Sequence, residues 1–213
     1  MPRIVSVNVG TPLEAAWAGI GRTSIDKQPV RGPVEVGLLG LAGDQVSDTR
    51  HHGGVDQAVY AYAREDLDWW AEQLGQELRD GQFGENLTTE GLDLNAAEIG
   101  SRWRIGEVLL EVTLTRTPCN DFKTWMGRSG YDARAWVRRF TAAGRPGPYL
   151  RVLVPGELRA GDDLQVVHEP GHGVTVRDMF VALNTDRSRL PDLLAIDGLA
   201  EKARRKAQDY VAT

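Results

Sequence analysis

EVLLEVTLTRTPC, residues 107–119, decides how the chain is to be read. Val108, Leu110, Val112 and Leu114 share one parity, which is the period of a β-strand that turns one face to a core. Arg116 continues that parity, so its side chain is expected to point inward just past the strand end, where Pro118 limits regular pairing. Cys119, the sole cysteine, comes next. Asn120 and Asp121 follow it and read as a polar loop.

Working outward, RIVSVNV (3–9) and AVYAY (58–62) also alternate as strands. Residues 148–170 hold a further pair, broken at Pro155-Gly156 and Gly161-Asp162. Short strands, many glycines and the lack of a βαβ rhythm favour a closed or nearly closed β-barrel over a parallel sheet. Helical spacing predicts helices over 64–75 and 131–144; the second carries Trp136, Val137 and Phe140 on one face and Gly144 as a stop. After His168-Glu169-Pro170-Gly171 the pattern is helical only. Thr175 caps a first helix with Asp178 three residues on, Pro191 opens a second, and a third over 198–212 aligns Leu199, Ala203, Ala207 and Tyr210 or Val211. The predicted class is mainly β with α: a β-barrel with peripheral helices over 1–168, then a small three-helix extension over 169–213. So short an extension buries little alone and is expected to dock on the barrel or on a partner.

Composition bounds the function. A chain of 213 residues, 41% hydrophobic and 26% charged, suits one large domain or a domain with a small appendage. A net charge of −5 with scattered basic residues argues against binding a nucleic-acid polymer or an anionic membrane, while small anionic ligands stay open. No apolar run approaches the roughly 20 residues that span a bilayer, and the first residues lack the pattern of a secretion signal, so a cytoplasmic location is expected. One cysteine forms no internal disulfide and supplies too few thiolates for an iron–sulfur cluster or a structural zinc.

Three stretches could carry chemistry. In GLAGDQVSDTRHHGG, Asp44, Arg50, His51 and His52 surround Gly53 and Gly54. Glycines admit close approach to a ligand, and a neighbouring cation and imidazole can hold an anion; the same residues also suit a solvated turn. In FGENL, 83–87, Asn86 either lines a site or closes a turn through its side chain. Cys119 has two readings: a small buried hydrophobe, or an accessible thiol beside Arg116 at a strand end. His168 and His172 are no helical metal pair, because Pro170 and Gly171 separate them. Trp69 and Trp70 read as core or interface anchors, and Arg204, Arg205 and Lys206 as a solvated helix face.

Taken in order, GLAGD (40–44), RHHGGVDQAVYAY (50–62), FGENL (83–87), IGSRWRIGEVLLEVT (99–113) and TRTPC (115–119) resemble the MOSC domain family in its YiiM-like branch. The resemblance covers about residues 1–168, and the helical remainder is similar to the three-helix extension of that branch. It implies a MOSC-type β-barrel that binds the molybdenum cofactor, a pyranopterin dithiolene with a phosphate, with Cys119 as the molybdenum ligand. Arg50 and Arg116 would neutralise phosphate or oxo groups, and His52, Gly53, Gly54 and Asn86 would line the pocket; Cys119, His52 and Asn86 are the catalytic candidates. Val55, where a proline is expected, and the extra His51 depart from the family pattern and affect the local turn. The implied activity is reduction of N-hydroxylated compounds, such as hydroxylaminopurine bases, to amines. With no cluster ligands and no dinucleotide fingerprint, the electrons would come from a separate flavoprotein reductase or electron carrier. Dimerisation through the helical tail stays open. So do two other functions: a cofactor or sulfur carrier without catalysis, and a metal-free thiol enzyme in which His52 activates Cys119.

Overall fold

The computed structural model describes residues 1–212. Its strands are β1 (Arg3–Val9), β2 (Leu13–Glu14), β3 (Arg22–Thr23), β4 (Gln28–Pro29), β5 (Val34–Gly37), β6 (Gly40–Leu41), β7 (Val59–Ala63), β8 (Leu87–Glu90), β9 (Arg102–Ile105), β10 (Val108–Thr115), β11 (Pro148–Val154), β12 (Gly156–Leu158) and β13 (Leu164–His168). The α-helices are α1 (Arg64–Leu74), α2 (Asn120–Arg128), α3 (Trp136–Ala143), α4 (Val176–Asn184) and α5 (Glu201–Val211), with a 3-10 segment at Arg187–Ala195. The predicted class, mainly β with α, is found.

Eight strands pair in the order β13-β9-β10-β11-β7-β8-β1-β4, and β12-β5-β6 form a smaller sheet. The pairing is antiparallel throughout the large sheet except between β7 and β8, which run parallel. That parallel pair, joined through α1, is a βαβ unit absent from the sequence reading. All five residues of β7 are buried, as expected of a parallel strand covered on both faces, so they give little alternation to detect. β8, LTTE, hides for a different reason: Thr88 and Thr89 are fully buried but polar.

The closed barrel is corrected. Among the described residues no continuous ladder joins the two ends of the large sheet. Instead the sheet curls until β1 meets the turn before β13: Arg3 bridges Asp163, the Ile4 amide donates to the Asp162 carbonyl at 2.9 Å, and the Leu164 amide donates to the Pro2 carbonyl at 2.9 Å. Full closure is limited at both edges. Past Leu164, β13 is exposed, and β4 is a two-residue strand ending in Pro29, which has no amide to donate.

Val108, Leu110, Val112 and Leu114 of β10 are all buried as their parity predicts, and Arg116 follows them inward at 6% exposure. Helices α1, α2 and α3 pack an aromatic cluster against this side of the sheet. Trp70 and Trp136 lie 4.8 Å apart by ring centroids, Phe83 and Phe122 5.1 Å, and Phe122 and Phe140 5.3 Å. Such pairs add about 0.5–1.5 kcal/mol each beyond the area they bury. Gly75 and Gly144 end α1 and α3 in the left-handed region, at φ 65° and 61°. Helix α3 begins later than its sequence pattern suggests, after Ala135 takes a left-handed turn at φ 49°.

The tail docks on the sheet. Thr175 and Asp178 make the expected capping box, and the Val176 and Arg177 amides bond to the Ala97 and Asn95 carbonyls at 2.9 and 3.0 Å. Pro191 lies inside the 3-10 segment and does not open a helix. In α5 the stripe of Ala203 and Ala207 is buried and is completed by half-buried Tyr210, whereas Val211 is 60% exposed. Among the described residues, no helix is long and apolar enough to cross a membrane.

Candidate functional site

Cys119 does not stand in a loop. It is the N-cap of α2, and its sulfur accepts a hydrogen bond from the Phe122 amide at 3.4 Å. Asn120 and Asp121, which read as loop residues, form the first helical turn, where an acidic side chain suits the helix dipole. Asp121 also accepts the Gly19 amide through both carboxylate oxygens at 3.2 Å, which ties the start of α2 to the segment after β2.

The sulfur is half-buried and lines an open cleft of about 820 Å³. His52, Gly53, Asn86 and Arg116 line the same cleft. His52, Gly53 and Asn86, 33 to 67 positions before Cys119 in the sequence, thus meet it and its near neighbour Arg116 at one place. Arg50 and Gly54 lie outside it: Arg50 is exposed, and its amide donates to Asp48 Oδ1 at 3.1 Å. Gly53, at φ 77°, takes a conformation that favours glycine and brings backbone to the cleft wall.

Arg116 is the electrostatic centre. Its guanidinium lies between the rings of Phe122, at 4.2 Å, and Tyr60, at 5.1 Å, and Nη1 donates to the Phe83 carbonyl at 2.6 Å. Nε is buried and has no partner in the protein. A buried cation with an unmet donor and no direct carboxylate partner is poised for an anionic ligand.

Lys27 was not singled out in the sequence, since SIDKQP carries no pattern that marks it. It is buried and paired with Asp44. Burial pulls its ammonium below the ordinary lysine value against the opposing pull of Asp44 and Glu85, and Arg116 adds to the lowering. Asp44 also accepts the Gly10 amide at 2.7 Å and Asn86 Nδ2 at 2.9 Å. Asn86 is engaged on both sides of its amide: Nδ2 donates to Asp44 and to the Asn8 carbonyl at 3.3 Å, and Oδ1 accepts the Tyr60 amide at 3.1 Å. It lines the cleft and bridges β7 and β1 through partners far along the chain, and no local turn bond of its side chain is found among the described residues.

His52 stands at the rim. Crowding by surrounding protein first, then Arg116 and Lys202, push its imidazole towards the neutral form. Its residue surface is nonetheless exposed, and solvent screening tempers the effect. Among the described residues no hydrogen bond joins His52 to the Cys119 sulfur, whose partner is the Phe122 amide. Tyr149, also missed in the sequence because it sits within an ordinary strand, lines the cleft, and burial raises its phenol above the usual value and keeps it protonated.

Behind the cleft lies Glu85, fully buried, accepting the Gly81 and Phe83 amides at 2.6 and 2.9 Å and the Thr88 hydroxyl at 3.2 Å. Burial outweighs these donors and raises the carboxyl to about 7. A carboxyl raised on folding favours the native state below its unfolded value of 4.5, and that contribution is lost as pH rises to about 7. Relative to Glu85→Gln, the wild type should therefore lose on the order of 3 kcal/mol between pH 4.5 and 8, as read by urea unfolding at each pH. A difference constant across that range would show that Glu85 does not titrate there.

A curled mixed sheet whose cleft gathers one cysteine and one buried arginine, with a helical tail docked beside it, defines a recognisable class. The MOSC domain family model matches residues 48–165, more than half of the chain, and the chain belongs to that family. Within it the chain is YiiM-like. It is 31% identical over 175 residues to the uncharacterized protein YflK of Bacillus subtilis, covering 82% of this chain and 77% of that one. It is 29% identical over 192 residues to protein YiiM of Escherichia coli, covering 87% and 83%. The crystal structure of YiiM from Geobacillus stearothermophilus superposes with a TM-score of 0.81 at 26% identity, over 98% of both chains. A protein of Gibberella moniliformis named "Reductase" is 33% identical over 171 residues; the match takes in 78% of this chain but 29% of that longer protein.

Proposed function

We propose that the cleft binds the molybdenum cofactor, with Cys119 as the protein's ligand to the metal, and that the chain reduces small N-hydroxylated compounds to amines. The observation that carries this reading is the meeting of the Cys119 sulfur and the buried, partly unpartnered Arg116 at one open cleft. A thiolate is a suitable donor to a metal already held by sulfur, and Arg116 is suited to oxo or phosphate oxygens. Among the described residues no group of three or more His, Cys, Asp or Glu side chains could hold a bare metal ion. A metal that brings its own ligands needs only one from the protein. The residues fit the group. The name of the fungal relative supports an oxidoreductase.

When bound, the molybdenum centre supplies the two-electron reduction of the substrate. The overall balance is R–NHOH plus two electrons and two protons, giving R–NH2 and water. The chain's own part is to orient the substrate, balance charge and handle protons. Tyr149 holds a proton on its phenol oxygen and can donate it to a polar substrate group. Neutral His52 at the rim can accept or pass a proton between the cleft and solvent. Arg116 keeps the cleft floor cationic, while the charge of Lys27 is balanced by Asp44.

The electrons come from a separate flavoprotein reductase or carrier. With molybdenum-loaded protein and an N-hydroxylated purine, amine formation is expected only when such a donor is added to NAD(P)H. Turnover with NAD(P)H alone would overturn the external donor. No turnover with any donor, in protein carrying molybdenum, would leave a cofactor carrier in place of a reductase.

A further inference from the structure

A second, shallow hollow opens beside the main cleft and shares His52, Gln57 and Tyr149 with it. Its far wall belongs to α5, outside the span matched by the family model, and presents Lys202 and Lys206. No Asp or Glu lines this hollow. Thr117 adds a hydroxyl on the sheet side.

The two lysines are one helical turn apart on the same face, a like-charge pairing that destabilises a helix. Lys202 lies below its ordinary value because of burial first and then the like charge of Lys206. Asp48 draws on Lys202 only through space, and Lys202 Nζ donates to the His51 carbonyl at 2.8 Å. Among the described residues Lys206 forms no ion pair. Two ammonium groups, neither in an ion pair among the described residues, thus stand on a wall that shares His52, Gln57 and Tyr149 with the candidate active site, an arrangement suited to an anion.

We infer that this hollow is a phosphate subsite, and that the substrate of the reaction proposed above is a phosphorylated N-hydroxylated compound of nucleoside-monophosphate size, not a free base. The inference rests on the cleft being the substrate site. The alternative source of the same chemistry is the phosphate of the bound cofactor itself.

The test uses the full chain and needs no turnover. Adenosine 5′-monophosphate, adenosine and inorganic phosphate are titrated calorimetrically at low ionic strength. The monophosphate should bind at least about tenfold more tightly than adenosine, inorganic phosphate should compete with it, and added salt should shrink the difference. Lys206→Glu, at an exposed position, should abolish the preference; Lys202→Gln should reduce it; Cys119→Ser should keep it. Equal binding of nucleotide and nucleoside, or a preference that survives Lys206→Glu and disappears in Arg116→Gln, would overturn the subsite. Loss of molybdenum from Lys206→Glu made in a cofactor-producing host would assign the lysines to the cofactor's phosphate and overturn the substrate assignment. Because binding is read without reduction, failure of the reductase reading shows separately, as absent turnover with intact nucleotide preference.

Discussion

Cys119→Ser should leave the protein folded and strip the cleft of molybdenum. Serine is among the preferred N-cap residues, so its hydroxyl can take over the bond from the Phe122 amide and keep the start of α2 in place. The sulfur is half-buried, so little packing is lost with it. A thermal midpoint within a few degrees of wild type is therefore expected, corresponding to about 1 kcal/mol or less. The metal responds differently, because a hydroxyl is a much poorer ligand than a thiolate for a centre of this kind. Elemental analysis of protein from a cofactor-producing host should fall from about one molybdenum per chain to near zero, and reductase activity should drop at least about a hundredfold. Metal content at the wild-type level in this variant would remove Cys119 from the metal and with it the proposed chemistry. A folded, metal-free wild type that is fully active and loses activity on alkylation would instead favour a thiol enzyme.

What the sequence disclosed about this site follows from what kind of physics each residue obeys. The inward course of Arg116 is legible because strand parity extends one step beyond β10 and needs no knowledge of the partner strands. Asn120 and Asp121 read as a loop because Asn and Asp serve turns and helix starts alike, and only the burial of Phe122 and Met126, four apart, separates the two. The βαβ unit escaped because β7 is buried on both faces and β8 is built on threonines, so neither shows a period of two. Alternation leaves closed and nearly closed barrels alike for a related reason: it predicts strands, but whether edges meet depends on their lengths and on Pro29 in β4. Lys27 and Tyr149 carried no local mark at all, since their importance lies in contacts with residues far along the chain. In the sequence Asp44 reads only as one polar residue near Gly53 and Gly54, where the cation and the imidazole are the groups that suit an anion. The structure instead gives it a framework task.

That task makes Asp44→Ala the substitution expected to damage the fold most. One carboxylate serves three donors: the Gly10 amide, the Lys27 ammonium and Asn86 Nδ2. Its removal leaves an ammonium at 8% exposure without its partner, beside the like charge of Arg116. Breaking a buried ion pair from one side costs about 3–5 kcal/mol, because the surviving charge stays desolvated. For a domain of this size that corresponds to a fall of roughly 10 °C in the thermal midpoint. Asp44→Asn should fall between: its carbonyl oxygen still accepts, but its amide group faces the amide of Asn86, donor against donor. Lys27→Met should be milder than Asp44→Ala, since the carboxylate it leaves behind keeps two hydrogen-bond donors. Urea unfolding of the three variants tests that order, and a loss below about 1 kcal/mol for Asp44→Ala would mean the pair is hydrated and contributes little. The order matters for the chemistry as well, because the three donors join β1, the lysine of the cleft floor and the FGEN turn at a single residue. Weakening Asp44 should therefore loosen Asn86 and Lys27 together and lower molybdenum retention along with stability, whereas Cys119→Ser separates the two effects.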